Sequence, residues 1–319
     1  MTTSETITFT GNGLGFGQRL AEAVELKKNA VCVGLDPRVR SLPEAIAPTH
    51  FMPLEKQALA FEQFCIEIID TIRDLVPVVK PQAAFFEELG PHGMRALGKV
   101  IRYATQQGLI VILDAKRGDI GATANAYANA HLGSGMEGSA GYSPWGADAL
   151  TVNPFLGLDT LTPFVQRCDS SGAGIFVLTK TSNPGSSFLQ EVHVPGVGDV
   201  SDAIANAIQL LAAERTGVAG YGSVGAVVGA TYPEKLEALR DRMPNAWLLI
   251  PGYGAQGGGA ADVVRGMDAR GNGAIVNSSR GIIFAYEQPK YKSSKWTQSV
   301  RQATLDMIEA LRNAHAARA

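Results

Sequence analysis

The sequence predicts a single α/β domain closed into a (β/α)8 (TIM) barrel. Three observations carry that reading: eight short apolar, β-branched runs recur along the chain, amphipathic segments separate them, and charged residues gather where the runs end. The runs cover residues 31–36, 76–80, 110–116, 149–153, 174–179, 224–230, 247–251 and 273–277. They lack the strict apolar–polar alternation of a half-solvated strand, so both faces must be covered, as in a parallel sheet flanked by helices. Helical spacing of apolar residues marks 58–75, 94–107, 202–214, 233–243 and 259–269, lengths suited to crossovers between parallel strands. Eight such units in 319 residues favour a closed barrel, with a doubly wound open sheet as the alternative. Residues 1–20 read as an N-terminal extension and 21–319 as the barrel domain, ending in an amphipathic helix over 297–314. Two stretches rich in Gly, Ser and Pro, 133–146 and 183–199, read as long loops: an insertion in the first case, a lid or an insertion in the second.

Bulk properties narrow the class. With 45% hydrophobic residues the chain can bury a large core, and a formal charge of −2 offers no global attraction to nucleic acid or anionic lipid. An anionic ligand must therefore be held by a few placed groups. Cys32, Cys65 and Cys168 are odd in number and lie in apolar surroundings, the pattern of core thiols in a reducing compartment. No run is long enough to span a membrane and no leader peptide is apparent, so a cytoplasmic protein is expected. The five histidines lack ligand spacing, and no metal site is expected from them.

The charges sit where a parallel barrel places its chemistry. The first run ends in Gly34-Leu35-Asp36, the second in Val79-Lys80-Pro81, the third in Leu113-Asp114-Ala115-Lys116, and the eighth in Asn277-Ser278-Ser279-Arg280-Gly281. Strand alternation puts Asp114 and Lys116 on one face, with Leu113 and Ala115 on the other. Singly, Asp36 or Lys80 would be a solvated loop residue or half of a structural ion pair. Charges at the inward ends of three successive strands serve no structural economy, because each must be paired to offset its burial.

The pattern Asp114-x-Lys116-x-x-Asp119 at the end of a third strand resembles the signature of the orotidine 5′-phosphate decarboxylase suprafamily. It is joined in order by Gly34-Leu35-Asp36, Lys80-Pro81, Thr179-Lys180-Thr181-Ser182-Asn183-Pro184-Gly185, Pro251-Gly252-Tyr253-Gly254-Ala255-Gln256-Gly257-Gly258 and Asn277-Ser278-Ser279-Arg280-Gly281. The resemblance spans roughly residues 30–285 and is closest to the bacterial branch with longer loops. It implies a cofactor-free carboxy-lyase converting orotidine 5′-phosphate to uridine 5′-phosphate, with a catalytic tetrad on Lys80, Asp114, Lys116 and Asp119 and Lys116 as proton donor. It also implies a homodimer in which Asp119 and Thr123 enter the partner's site. Asp36 is similar to the ribose-hydroxyl contact, Ser182 to the residue reading the pyrimidine edge, and Gln256 and Arg280 to the phosphate grip, aided by amides around Gly254 and Gly281. Independently, the planar fork of Arg280 suits phosphate oxygens, and Gly257–Gly259 before a helix near Ala260 would make an amide-lined anion site.

Two alternatives stay open on sequence. Metal-dependent sugar-phosphate lyases of the same suprafamily share the Asp-x-Lys-x-x-Asp pattern but carry a glutamate where this chain has Lys80, a cation that would repel a divalent ion. A silent nucleotide-binding barrel is the other, although binding alone does not need Lys116 between two aspartates.

Overall fold

The computed structural model of the protein describes residues 15–47, 52–133, 135, 137–139, 141–254, 258–293 and 295–318; Gln256 and most of the expected N-terminal extension lie outside them. The chain runs α1 (Phe16–Lys27), β1 (Val31–Leu35), α2 (Leu54–Ile72), β2 (Val78–Pro81), α3 (Ala83–Glu87), α4 (Gly90–Gln106), β3 (Ile110–Arg117), α5 (Gly121–His131) and β4 (Ala149–Val152). It continues through α6 (Thr162–Ser171), β5 (Gly174–Lys180), α7 (Ser187–Gln190), β6 (His193–Val194), β7 (Gly198–Asp199), α8 (Val200–Ala213) and β8 (Val224–Val228). The last elements are α9 (Pro233–Arg242), β9 (Leu248–Ile250), α10 (Ala260–Val263), β10 (Ala274–Ser278), α11 (Arg280–Ile283) and α12 (Trp296–Arg318). Eight strands close in the order β1-β10-β9-β8-β5-β4-β3-β2, every pairing parallel, while β6 and β7 form a separate antiparallel pair. This is the expected (β/α)8 barrel, with each strand inside its predicted run or ending one residue beyond it; the open-sheet alternative fails because β1 pairs with both β2 and β10.

The chain joins the barrel earlier than expected. Residues 16–20, assigned to the extension, begin α1, which plugs the N-terminal end of the barrel. Phe16 is buried and meets Phe176 edge-on at 5.8 Å. Its ring lies so close to Gly174 that a Cβ there would sit 2.2 Å from it, so only glycine fits. The indole of Trp247 donates to the Gly17 carbonyl at 3.1 Å, and Arg19 pairs with the buried Asp148 at 2.6 Å. The apolar stripe of α1 is too short to stand out by periodicity alone.

Other departures are local. The stretch 259–269 is not one helix but the four-residue α10 followed by a 3-10 turn, Val264–Gly266. The expected loop 183–199 holds α7 and the β6–β7 pair, and Asp199 starts α8 two residues early by a capping box: its carboxylate accepts from the Asp202 amide at 3.0 Å while Asp202 accepts from the Asp199 amide at 3.0 Å. In the stretch 133–146 the described residues carry no helix, and Leu132 bridges to Ala147. Cys32, Cys65 and Cys168 are buried and unpaired, the expected core thiols; burial pushes the Cys32 thiol up to about 12. Among the described residues no helix is long and apolar enough to cross a membrane.

His131, at the end of α5, stands between the rings of Tyr127 and Trp145, at 6.4 and 5.9 Å. Burial, assisted by the nearby Arg117 charge, lowers its pKa to about 4. The unfolded chain, with an ordinary histidine near 6.5, therefore binds a proton that the folded chain refuses, and stability is lost as pH falls from about 6.5 towards 4. By about pH 5 this one group should cost roughly 2 kcal/mol. Urea unfolding at pH 7 and 5 should show a correspondingly smaller acid loss in His131→Gln than in wild type; equal losses would remove His131 as the cause.

Candidate active site

The site is built on the C-terminal ends of the first three strands and the segment after the eighth. β2 brings Lys80 and β3 brings Asp114 into the barrel mouth, where Lys80 Nζ meets Asp114 Oδ2 at 2.6 Å and Lys116 Nζ meets Asp114 Oδ1 at 2.6 Å. The Lys80 and Asp114 side chains are 5% and 10% exposed, whereas Lys116 is 46% exposed and stands at the opening. The charge chain thus runs from a sealed end to an exposed one. Asp114 is saturated: Gln82 Nε2 donates to Oδ2 at 3.0 Å and Thr151 Oγ1 to Oδ1 at 2.9 Å, filling the four acceptor positions of the carboxylate.

Electrostatics fix the protonation states. Burial alone would raise the Asp114 carboxyl, but the Lys80 and Lys116 charges and their hydrogen bonds outweigh it and hold the group well below the usual carboxylate range. Burial works to lower the Lys80 ammonium, and the Asp114 and Asp36 charges overcome it, so Lys80 stays protonated beyond the ordinary lysine range. Asp36 completes the inner set: its Oδ1 is buried with no hydrogen-bond partner among the described residues, ready for a ligand donor. A cavity of about 420 Å³ opens here between Asp36, Gln82, Phe85, Glu87, Ala115 and Lys116. A larger one of about 930 Å³, around Arg38, Gln57 and Phe61, shares Phe85 with it but holds none of the Lys–Asp chain, so it is the smaller cavity onto which that chain opens.

The simple alternation expected for Asp114 and Lys116 does not hold. The β3–β4 register shifts between Leu113 and Arg117, so residues 114–116 all lie opposite Thr151, and Lys116 takes a left-handed φ of 49°. For a residue with a Cβ that conformation costs roughly 1–2 kcal/mol. The contact between the two side chains survives; the regular strand does not. Gln82 and Thr151 escaped the sequence reading. The available signals were the parity of Gln82 with Lys80 and a lone hydroxyl in the apolar run Ala149-Leu150-Thr151-Val152.

Asp119 and Thr123 do not join the cluster within one chain. Asp119 accepts from the Ile120 amide at 2.8 Å, no ion pair links it to Lys116, and Thr123 is exposed on α5. Ser182 follows β5, four places from β1 in the ring and so across the mouth from Asp36. Arg280 opens α11, and its exposed side chain makes no hydrogen bond or ion pair among the described residues. The Gly281 amide has no backbone acceptor there, whereas the Gly254 amide is engaged by the Gly258 carbonyl at 2.9 Å. At α10 the Gly259 amide is taken by Asp262 at 2.8 Å, so the anion site expected before Ala260 carries a carboxylate of its own. Among the described residues no three His, Cys, Asp or Glu side chains gather as a metal site.

A closed parallel barrel with a Lys–Asp–Lys chain at the C-terminal mouth of its strands defines a (β/α)8-barrel enzyme. The chain belongs to the orotidine 5′-phosphate decarboxylase / HUMPS family, whose model matches residues 29–295. It is 52% identical over 305 residues to the orotidine 5′-phosphate decarboxylase of Rhodopirellula baltica, covering 93% of this chain and 99% of that one. The Petrotoga mobilis orotidine 5′-phosphate decarboxylase is 39% identical over 296 residues, covering 92% and 97%. Among solved structures, Leishmania donovani OMP decarboxylase superposes with a TM-score of 0.71 at 33% identity, covering 95% of this chain and 99% of that one.

Proposed function

We propose that this protein decarboxylates orotidine 5′-phosphate to uridine 5′-phosphate, the last step of de novo pyrimidine nucleotide synthesis, without a cofactor. The observation that carries the reading is the Lys80–Asp114–Lys116 chain: a buried carboxylate saturated by four donors holds the Lys116 ammonium at the open end of the cavity. The substrate's carboxylate departs as CO₂, and the electron pair of the broken C–C bond stays in the ring plane, where π delocalisation cannot spread it. Lys116 stabilises that pair and gives it a proton, later regained from water. At about 4 Å and an effective dielectric near 20, one such charge pair is worth roughly 4 kcal/mol, so the proton transfer, exclusion of water and orientation must supply the rest.

Asp36 binds the ribose hydroxyls, a role its partnerless buried oxygen supports. Ser182 reads the pyrimidine edge from across the mouth. Arg280 and Gln256 hold the phosphate, helped by the backbone amides around Gly254 and Gly281. The working unit is a homodimer in which Asp119 and Thr123 enter the partner's site. Ile120 and Phe155, 62% and 72% exposed, support it, since apolar side chains flanking Asp119 and the end of β4 call for a cover. The buried, unpaired thiols support a cytoplasmic setting.

The test is loss of orotate absorbance when the purified protein meets orotidine 5′-phosphate; no loss would overturn the reading. In the same assay Arg280→Ala should lower kcat/KM by about 30- to 160-fold, the worth of a charge-assisted bidentate contact of roughly 2–3 kcal/mol. Unchanged efficiency would remove Arg280 from the phosphate grip.

A further inference from the structure

Three consecutive residues of β3 lie opposite one residue of β4. Leu113 pairs with Leu150 and Arg117 with Val152, leaving Asp114, Ala115 and Lys116 to face Thr151 alone. A bulge of that size strips backbone amides of their ladder partners. Here the Thr151 side chain replaces them: its Oγ1 accepts from the Ala115 amide at 3.0 Å and from the Lys116 amide at 2.9 Å. Both acceptor positions of the hydroxyl are then used by groups that can only donate. Its single proton must point elsewhere, and it goes to Asp114 Oδ1, 2.9 Å away. No other arrangement satisfies the three neighbours, so the orientation of the hydroxyl follows from valence.

We infer that Thr151 is a positioning residue for the decarboxylation, fixing at once the left-handed backbone of Lys116 and the carboxylate to which the Lys116 ammonium is bound. It does not face the cavity between Asp36 and Lys116, and it is buried. Its three bonds all end within residues 114–116, the segment that carries the proton donor. A serine keeps every one of those bonds; a valine, of nearly the same shape, keeps none. The hydroxyl and the packing of the site are thereby separable, and the kinetic part of the inference rests on the decarboxylase reading above.

The experiment compares wild type, Thr151→Ser and Thr151→Val by steady-state kinetics with orotidine 5′-phosphate, uridine 5′-phosphate affinity and amide hydrogen exchange. Thr151→Val should lose about 10- to 100-fold in kcat, the scale of a misplaced reacting group, with KM and nucleotide affinity within about threefold. Thr151→Ser should stay close to wild type. In wild type the Ala115 and Lys116 amides should be protected, and in Thr151→Val they should exchange at least about tenfold faster, with the amides of Val111 to Leu113 unchanged. A kcat within threefold of wild type in Thr151→Val, equal losses in the serine and valine variants, or a KM rising in step with the fall in kcat would overturn the inference. So would unprotected Ala115 and Lys116 amides in wild type, a readout that stands even if the valine variant does not fold. A wild type that leaves orotidine 5′-phosphate untouched would sink the decarboxylase reading, while the exchange data would still judge Thr151.

Discussion

Replacing Lys116 by alanine should lower kcat by a factor on the order of 10⁴ or more, because in the proposed mechanism one side chain supplies both the proton, worth about 10²–10⁴, and the charge facing the developing carbanion, worth a further 10²–10³. Product affinity should change only several-fold. Lys116 is bound to Asp114 and stands at the opening, while the phosphate grip proposed for Arg280 follows a different strand. Single-turnover kinetics and a uridine 5′-phosphate titration check the two halves separately. Turnover within tenfold of wild type would end the proton-donor assignment; loss of nucleotide binding in parallel would make Lys116 a binding group instead.

Asp114→Asn should damage activity and stability together. The carboxylate ties Lys80 to Lys116, and without it the 5%-exposed Lys80 keeps a buried charge with only Asp36 in reach. Breaking a buried pair from one side typically costs about 3–5 kcal/mol, and in a chain of this size that lowers Tm by on the order of 5 °C. kcat should fall by about 10³, since the ammonium of Lys116 loses its anchor. The pH dependence has a defined sign. Asp114 has a depressed folded pKa, so its contribution is present above the unfolded value near 3.9 and is lost as pH falls through the folded one. Lys80 has a raised folded pKa, so its contribution is complete below about 10.4 and is lost only as pH climbs beyond that. Thermal scans of wild type and variant should therefore differ most between about pH 5 and 9 and converge in acid. A constant difference down to strong acid would mean that Asp114 acts through shape and not through charge.

Much of the barrel was legible because strands announce themselves locally. An apolar β-branched run of five to seven residues ending in Asp36, Lys80, Asp114 or Arg280 places both a strand and the mouth of the barrel, and each of the eight runs forms its strand. The regions misread are those whose partners are remote. Phe16 looks like part of an N-terminal extension until it meets Phe176, and the 183–199 segment looks like a loop until Lys180, at the end of β5, holds Glu191 at 2.6 Å and Ser186 at 3.0 Å.

The sequence by itself determined the strand set, the buried thiols and the placing of Lys80, Asp114 and Lys116 at strand ends, because strand period and strand end are written in neighbouring residues. Only the tertiary structure decided how those three are held. Lys80, Gln82 and Thr151 reach Asp114 from 34, 32 and 37 positions away. Which residues meet over such distances depends on ring closure and on the register of β3 against β4, and a shift in that register turned a regular alternation into a left-handed lysine pinned by one threonine hydroxyl.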